Sequence, residues 1–88
     1  MKALIISHEE LSYLRRKNFL PQYLLEVLNQ SQEIVNSRNY KLLISEDIMD
    51  DIRNCCGEQL QLVGFDEDYN LTRAGKILEQ LIDKLYVG

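Results

Sequence analysis

The sequence predicts a mainly α fold, a compact bundle of about four helices to which a minimal two-stranded ribbon could be added. Three segments repeat apolar residues at helical spacing, three helix starts carry capping residues, and two short apolar runs have strand character. The chain has 88 residues, of which 45% are hydrophobic, enough for one core. We therefore expect a single globular helical domain over 1–88.

The first predicted helix begins at a capping box. In Ser7-His8-Glu9-Glu10 the Ser7 hydroxyl can accept from the Glu10 amide, and the Glu10 carboxylate can reach back to the Ser7 amide. This spacing predicts a helix over 8–17. Its apolar stripe, Leu11 and Leu14, is narrow, so we expect the helix at the surface of the core.

Pro21 suits the first turn of a second helix. Residues on both sides of Pro21 repeat at helical spacing and predict a helix over 21–36. They are Leu20, Tyr23, Leu24, Val27, Leu28, Ser31, Ile34 and Val35. Two short apolar runs, at 3–6 and 41–44, favour extended structure. They could pair as a two-stranded ribbon with helices packed over it.

The second half of the chain predicts two longer helices. Ser45 is the expected cap of helix 3, and Gly57 is a candidate site for a kink or an end within it. The expected buried side of helix 3 is Ile48, Met49, Ile52, Cys55, Cys56, Leu60 and Val63. Asn70 or Thr72 would cap helix 4, whose buried stripe is Leu71, Ala74, Ile77, Leu78, Leu81, Ile82 and Leu85.

Charge is distributed unequally along the chain. Residues 1–45 carry six Lys/Arg and four Glu, a balance of +2, whereas residues 46–88 carry four Lys/Arg and ten acids, a balance of −6. Such an acidic surface repels nucleic acid and attracts basic protein surfaces. We expect a protein partner with a basic surface to bind the acids of helix 3 and the following loop, with a tyrosine as anchor. The predicted partner-binding residues are Asp47, Asp50, Asp51, Glu58, Asp66, Glu67, Asp68 and Tyr69.

No motif for catalysis, cofactor binding or metal binding is complete. Asp66-x-Asp68-x-Asn70 matches the start of a calcium loop, but Leu71 stands where glycine is needed and Ile77 where a bidentate glutamate is needed. Two adjacent cysteines and one histidine are too few for structural zinc. We therefore predict a non-enzymatic protein with no cofactor, no metal and no catalytic residues.

Several features are typical of a cytoplasmic protein. The longest apolar runs are far below the ~18 residues of a membrane span. The segment 1–6 is too short for a signal-peptide core. Cys55 and Cys56 are adjacent on a predicted helix and cannot bridge each other, which fits a reducing compartment. We expect no membrane partner.

The segment Tyr69–Leu78, YNLTRAGKIL, resembles the YxLTxxGxxL segment that closes many winged-helix repressors. The resemblance implies a small winged-helix-like DNA-binding regulatory module. The helix that precedes it, however, carries the acids described above, which would oppose phosphates. This function is therefore the alternative interpretation.

A second resemblance covers a little under half the chain. The segments Cys56–Glu58, Val63–Thr72 and Leu78–Leu85 resemble small bacterial proteins, some of which are similar to immunity proteins encoded beside contact-dependent growth-inhibition and other polymorphic toxins. The resemblance implies an immunity protein that neutralises a cognate toxin, with a nuclease as the expected class, by occluding its basic surface. Nucleic acid is not an expected partner.

Overall fold

The computed structural model describes residues 2–34 and 37–86, which form four helices and a three-stranded antiparallel sheet. In chain order the elements are β1 (Lys2–Ser7), α1 (His8–Arg16), α2 (Gln22–Leu28), β2 (Gln32–Glu33), β3 (Asn39–Ile44), α3 (Glu46–Val63) and α4 (Arg73–Leu85). The four expected helices are present. The fold is nevertheless mixed α/β rather than a helical bundle with a ribbon, because the sheet forms a complete layer against the helices.

The sheet has the strand order β1-β3-β2, and both neighbouring pairs are antiparallel. The predicted pairing of 3–6 with 41–44 is confirmed, with Ala3 opposite Leu43 and Ile6 opposite Tyr40. Alternate residues face the core, as the period of a strand requires. The buried face consists of Leu4, Ile6, Leu42 and Ile44.

The second helix is much shorter than the sequence predicts. It ends at Leu28, and 32–33 instead form β2, which pairs with Tyr40 and Lys41 of β3. The prediction of helix up to residue 36 is therefore wrong for the described part; Val35 and Asn36 lie outside the described residues. The reason is that ladder hydrogen bonds with β3, the next strand along the chain, outweigh a local helical pattern weakened by the polar run 29–32.

The predicted capping box of α1 is confirmed. Ser7 Oγ accepts from the Glu10 amide at 3.1 Å, and Glu10 Oε1 accepts from the Ser7 amide at 2.7 Å. Glu10 is also buried, with 1% of its surface exposed, and its Oε1 accepts from Lys84 Nζ at 2.6 Å. A buried carboxylate needs such a partner, and this one joins α1 to α4.

The junction of α3 and α4 brings two helix ends very close together. Thr72 caps α4 by accepting from the Gly75 amide at 3.0 Å, while its hydroxyl donates to the Val63 carbonyl at 2.9 Å. A Cβ on Gly75 would collide with the Gly64 carbonyl oxygen and would stand 2.7 Å from Leu71 Cδ1. Glycine is therefore required there for close approach.

The core lies where α1 and α4 cover the buried face of the sheet, and α3 packs mainly on α4. α3 continues through Gly57 without ending there, since its buried side supplies the packing that a glycine lacks. Fully or almost fully buried side chains include Leu14, Leu24, Leu28, Ile52, Cys56, Leu78, Leu81 and Leu85.

Candidate protein-binding surface

The predicted acids of helix 3 lie on the side of α3 that faces away from the core. Asp47, Asp51 and Glu58 repeat at intervals of four and seven residues, which places them on one helical stripe. Asp47 and Glu58 are exposed, while Asp50 and Asp51 are partly buried. The opposite side of the helix is the buried one, formed by Met49, Ile52 and Cys56.

Two of these carboxylates have partners within the protein. Asp50 Oδ1 lies 3.8 Å from Arg53 Nη2, and Asp51 Oδ2 accepts from the Tyr23 hydroxyl at 3.0 Å. For Asp47 and Glu58, no ion pair or side-chain hydrogen bond exists among the described residues. These two carboxylates are therefore available to cations from another molecule.

Arg53 is the single Lys or Arg between Glu46 and Thr72, a stretch with eight carboxylates. Its guanidinium lies over the Tyr86 ring, 5.8 Å from the centroid, and its side chain is one-third exposed. The formal charge of this stretch is −7, eight negative charges and one positive. The one cation within this stretch therefore neutralises little of its negative charge.

The loop after α3 is closed by its own hydrogen bonds. Phe65 and Leu71 pair in an antiparallel bridge, and the Asp66 amide donates to the Asn70 carbonyl at 2.9 Å. Asp66 Oδ1 accepts from the amides of Asp68 and Asn70, each at 2.9 Å. This is an Asx-type turn, in which an aspartate fixes the backbone that follows it.

Tyr69 stands at the tip of this loop. It is 87% exposed and has φ 62, a left-handed conformation that a tyrosine rarely adopts. The Tyr69 amide donates to the Asp66 carbonyl at 3.0 Å, so the turn holds this conformation. Of the loop acids, Asp66 thus has one oxygen engaged in the turn, whereas Glu67 and Asp68 are exposed without a side-chain partner among the described residues.

Sequence reasoning missed the apolar residues beside these acids. Leu62 is 78% exposed, Phe65 is 47% exposed and Val63 is 40% exposed. The prediction that Val63 is buried is wrong: Val63 is the last residue of α3, and neighbouring elements cover its side chain only in part. Leu62 lies one turn after Glu58 on the same stripe, which was the signal in the sequence that could have revealed it.

Tyr23, one of the residues at helical spacing that predict the second helix, is 50% exposed. It lies on α2, and its bond to Asp51 brings α2 to the edge of the acidic surface. The hydrogen bond to Asp51 and, to a lesser degree, burial raise the pKa of Tyr23 above its ordinary value of 10.0. The exposed ring of Tyr23 adds an apolar contact surface next to the carboxylates.

The cysteines and His8 do not form a site with the acids. Burial raises the pKa of Cys56 to about 12, which leaves the thiol protonated and unreactive at neutral pH. His8 is exposed, with Nδ1 3.4 Å from the Tyr40 hydroxyl and Nε2 3.5 Å from Ser12 Oγ. Among residues 2–34 and 37–86, no three His, Cys, Asp or Glu side chains converge in a way that could hold a metal ion.

Within the same described ranges, no helix combines the length and the apolar character that crossing a membrane requires. Comparisons of the chain with protein-family models, with curated proteins and with solved structures found no match.

Proposed function

We propose that this chain is a non-enzymatic binding protein that docks on a basic surface of another protein through the outer stripe of α3 and the 64–70 loop. In its specific form, the proposal is an immunity-type protein that neutralises a cognate toxin by occluding the basic surface with which the toxin holds its substrate. The observation that carries the proposal is the stretch of charge −7 whose one cation, Arg53, is engaged with Asp50 and Tyr86.

The electrostatic support for this proposal comes from carboxylates that have no partner among the described residues. Asp47, Glu58, Glu67 and Asp68 are exposed and unpaired within the described ranges. Pairing them with Lys or Arg of a partner breaks no internal bond. Complementary charge of this kind mainly raises the association rate, by about 10- to 1000-fold at low salt, and fixes the orientation of the complex.

The shape of the loop supports the same mode of binding. Tyr69 is held outward by the turn that Asp66 closes, so its ring needs little reordering when it is buried by a partner. Preorganised aromatic side chains lose little conformational entropy on binding and are frequent anchors at interfaces. Leu62 and Phe65 supply apolar area at the same end of α3.

The test is co-expression with the product of the adjacent upstream gene, followed by co-purification and a growth-rescue assay. We expect a complex and restored growth. The double variant Asp47→Lys, Glu58→Lys should lower the association rate by at least about tenfold, because it replaces attraction by repulsion.

A matched control is Glu26→Lys combined with Glu79→Lys, which changes the net charge equally at exposed positions outside the surface. It should slow association far less. If no complex forms and growth is not rescued, the immunity proposal fails. If both double variants slow association equally, the site is misplaced and only net charge matters.

One observation favours the alternative, a DNA-binding module. The helix pair α1–α2 is followed by the β2–β3 hairpin, a helix-turn-helix arrangement with a neighbouring hairpin in the less acidic half of the chain. The resemblance of 69–78 to the repressor segment would instead make α3 the DNA-reading helix. The exposed Arg16, Lys17 and Arg38 lie in this half.

The neighbourhood of α2 opposes this alternative, because Tyr23 on α2 bonds Asp51 of the acidic stripe. A mobility-shift assay at low salt separates the two functions. DNA binding would give retardation that the variant Arg16→Glu weakens and that falls steeply with salt. Absence of retardation at low salt removes the alternative.

A further inference from the structure

The two edges of the sheet differ in how well they are protected against pairing with another chain. β2 is two residues long and carries Glu33, and short, charged edge strands resist further pairing. β1 is six residues long, with no charge or proline after Lys2. Long edges without such devices are templates for an additional strand.

The register shows which backbone groups of β1 are free. The His8 amide donates to the Arg38 carbonyl at 2.7 Å, so in the antiparallel ladder the even-numbered residues of β1 bond to β3. Ala3 and Ile5 therefore direct their amide and carbonyl groups away from β3. No other hydrogen bond reaches these groups within 2–34 and 37–86. Ser7 also points outward, but its amide is committed to Glu10.

We propose that this edge of β1 pairs antiparallel with β1 of a second copy of the chain, joining two three-stranded sheets into one. In the register that the free groups select, Leu4 lies opposite Leu4, and Ala3 exchanges both hydrogen bonds with Ile5 of the second copy. Placing Ile5 opposite Ile5 would pair Ala3 with Ser7, whose amide is already engaged. The two-fold arrangement satisfies every free group of Ala3 and Ile5.

Side chains on the solvent-facing side of the sheet fit the same register. Ile5 is 49% exposed and Leu43, on the adjacent strand, is 57% exposed. In the paired sheet Ile5 would lie beside Ala3 of the second copy, so the exposed apolar strip would continue across the junction. Pairing therefore covers apolar surface in addition to satisfying backbone groups.

The charges near the edge permit two copies to approach. β1 and β3 contain no carboxylate, and Lys2 is paired with Glu46 at 3.1 Å. The antiparallel register places the two copies of Lys2 four residues apart along the strand, roughly 13 Å at ~3.3 Å per residue, beyond the Debye length of ~8 Å at physiological salt. The two strands next to the junction thus bring no carboxylates of the two copies together.

Sedimentation velocity over a concentration series, from low micromolar to near millimolar, measures the predicted association. We expect the wild-type chain to shift from monomer to dimer. Ile5→Pro removes an amide that faces the free edge and leaves the ladder with β3 intact, so it should remain monomeric.

Glu33→Pro is the matched control. The Ile34 amide donates to the Asn39 carbonyl, which places the Glu33 amide at the outer side of β2, away from β3. This variant also removes an outward-facing amide, but at the opposite edge, and should dimerise like the wild type. A second variant, Ile5→Lys, tests the edge without proline, and circular dichroism verifies that each variant is folded.

Amide hydrogen exchange locates the contact. In the dimer the amides of Ala3 and Ile5 should be protected, and in Ile5→Lys the amide of Ala3 should exchange freely. A wild-type chain that stays monomeric at every concentration overturns the proposal. So does a dimer in which these two amides exchange freely, or an equal loss of dimer in Ile5→Pro and Glu33→Pro. The outcome is independent of whether the acidic surface binds a toxin.

Discussion

The outer stripe of α3 and the α3–α4 junction differ in what their polar residues do. At the junction, Asp66 closes a turn, Thr72 caps α4, and Gly75 lies against the Gly64 carbonyl. On the stripe, Asp47 and Glu58 contact no side-chain partner among the described residues. The fold thus depends on the junction residues, whereas the stripe carries charge that the fold does not need.

A segment that resembles a functional motif can serve the fold instead of a function. The segment that resembles a calcium loop and a repressor motif forms the junction of α3 and α4. Asp66 accepts hydrogen bonds from backbone amides there, and Gly75 permits close packing. Asp47 and Glu58 of α3 belong to no motif, yet they remain available. The comparison predicts that mutations at the junction change stability, while mutations on the stripe change recognition.

The largest expected effect is that of Gly75→Ala. The added methyl group meets the Gly64 carbonyl, which is backbone and cannot rotate away, so α4 must shift. We expect a loss of about 2–3 kcal/mol in the free energy of unfolding, typical of overpacking, measured by urea denaturation. A variant as stable as the wild type would contradict the close approach of the two helix ends.

Asp66→Ala should have the next largest effect. It removes the acceptor of two backbone amides, and we expect a loss of about 1–2 kcal/mol. The matched control is Glu67→Ala, an adjacent exposed carboxylate, for which a change within about 0.5 kcal/mol is expected. Equal losses in the two variants would show that the turn does not depend on the Asp66 side chain.

Gly57→Ala should stabilise the protein. A Cβ at this position in α3 meets no atom within 4 Å, and alanine favours a helix over glycine by about 0.5–1 kcal/mol. The midpoint of urea denaturation should rise, in the direction opposite to that of Gly75→Ala. Destabilisation by Gly57→Ala would mean that α3 bends at this residue, as glycine in the sequence had suggested.

The smallest effect concerns the titration of Tyr23. Because the hydrogen bond to Asp51 favours the protonated phenol, Asp51→Asn should lower the pKa of Tyr23 towards 10.0, while Asp47→Asn should leave it unchanged. Because the pKa of Tyr23 is higher in the folded than in the unfolded protein, the bond stabilises the folded state at pH values below the unfolded pKa. This stabilisation is lost as the pH rises through the folded pKa. NMR of labelled tyrosine measures the shift, and an unchanged pKa in Asp51→Asn would contradict the bond.

Local signals predicted much of the fold. The capping box of Ser7 and Glu10, the Ser45 cap and the Thr72 cap each depend on residues three apart in the chain, and all three form. The strand β2 could not be predicted, because helical spacing continues through 32–33 and does not reveal the competing pairing with β3. The burial of Glu10 could not be predicted either, because it depends on Lys84, which is 74 positions away.

The candidate surface was predictable to a similar extent. The helical spacing of Asp47, Asp51 and Glu58 placed them away from the core. The exposure of Val63 was not foreseen, because apolar spacing identifies the side of a helix but not how much of that side its neighbours cover.

The bond between Glu10 and Lys84 has a consequence for synthesis. The two residues are separated by 74 positions, so during translation the carboxylate must wait until nearly the whole described chain has left the ribosome before it meets its ammonium partner. Until then, burying Glu10 would leave a negative charge uncompensated, which is unfavourable. The first helix of the nascent chain should therefore remain loosely docked until α4 arrives.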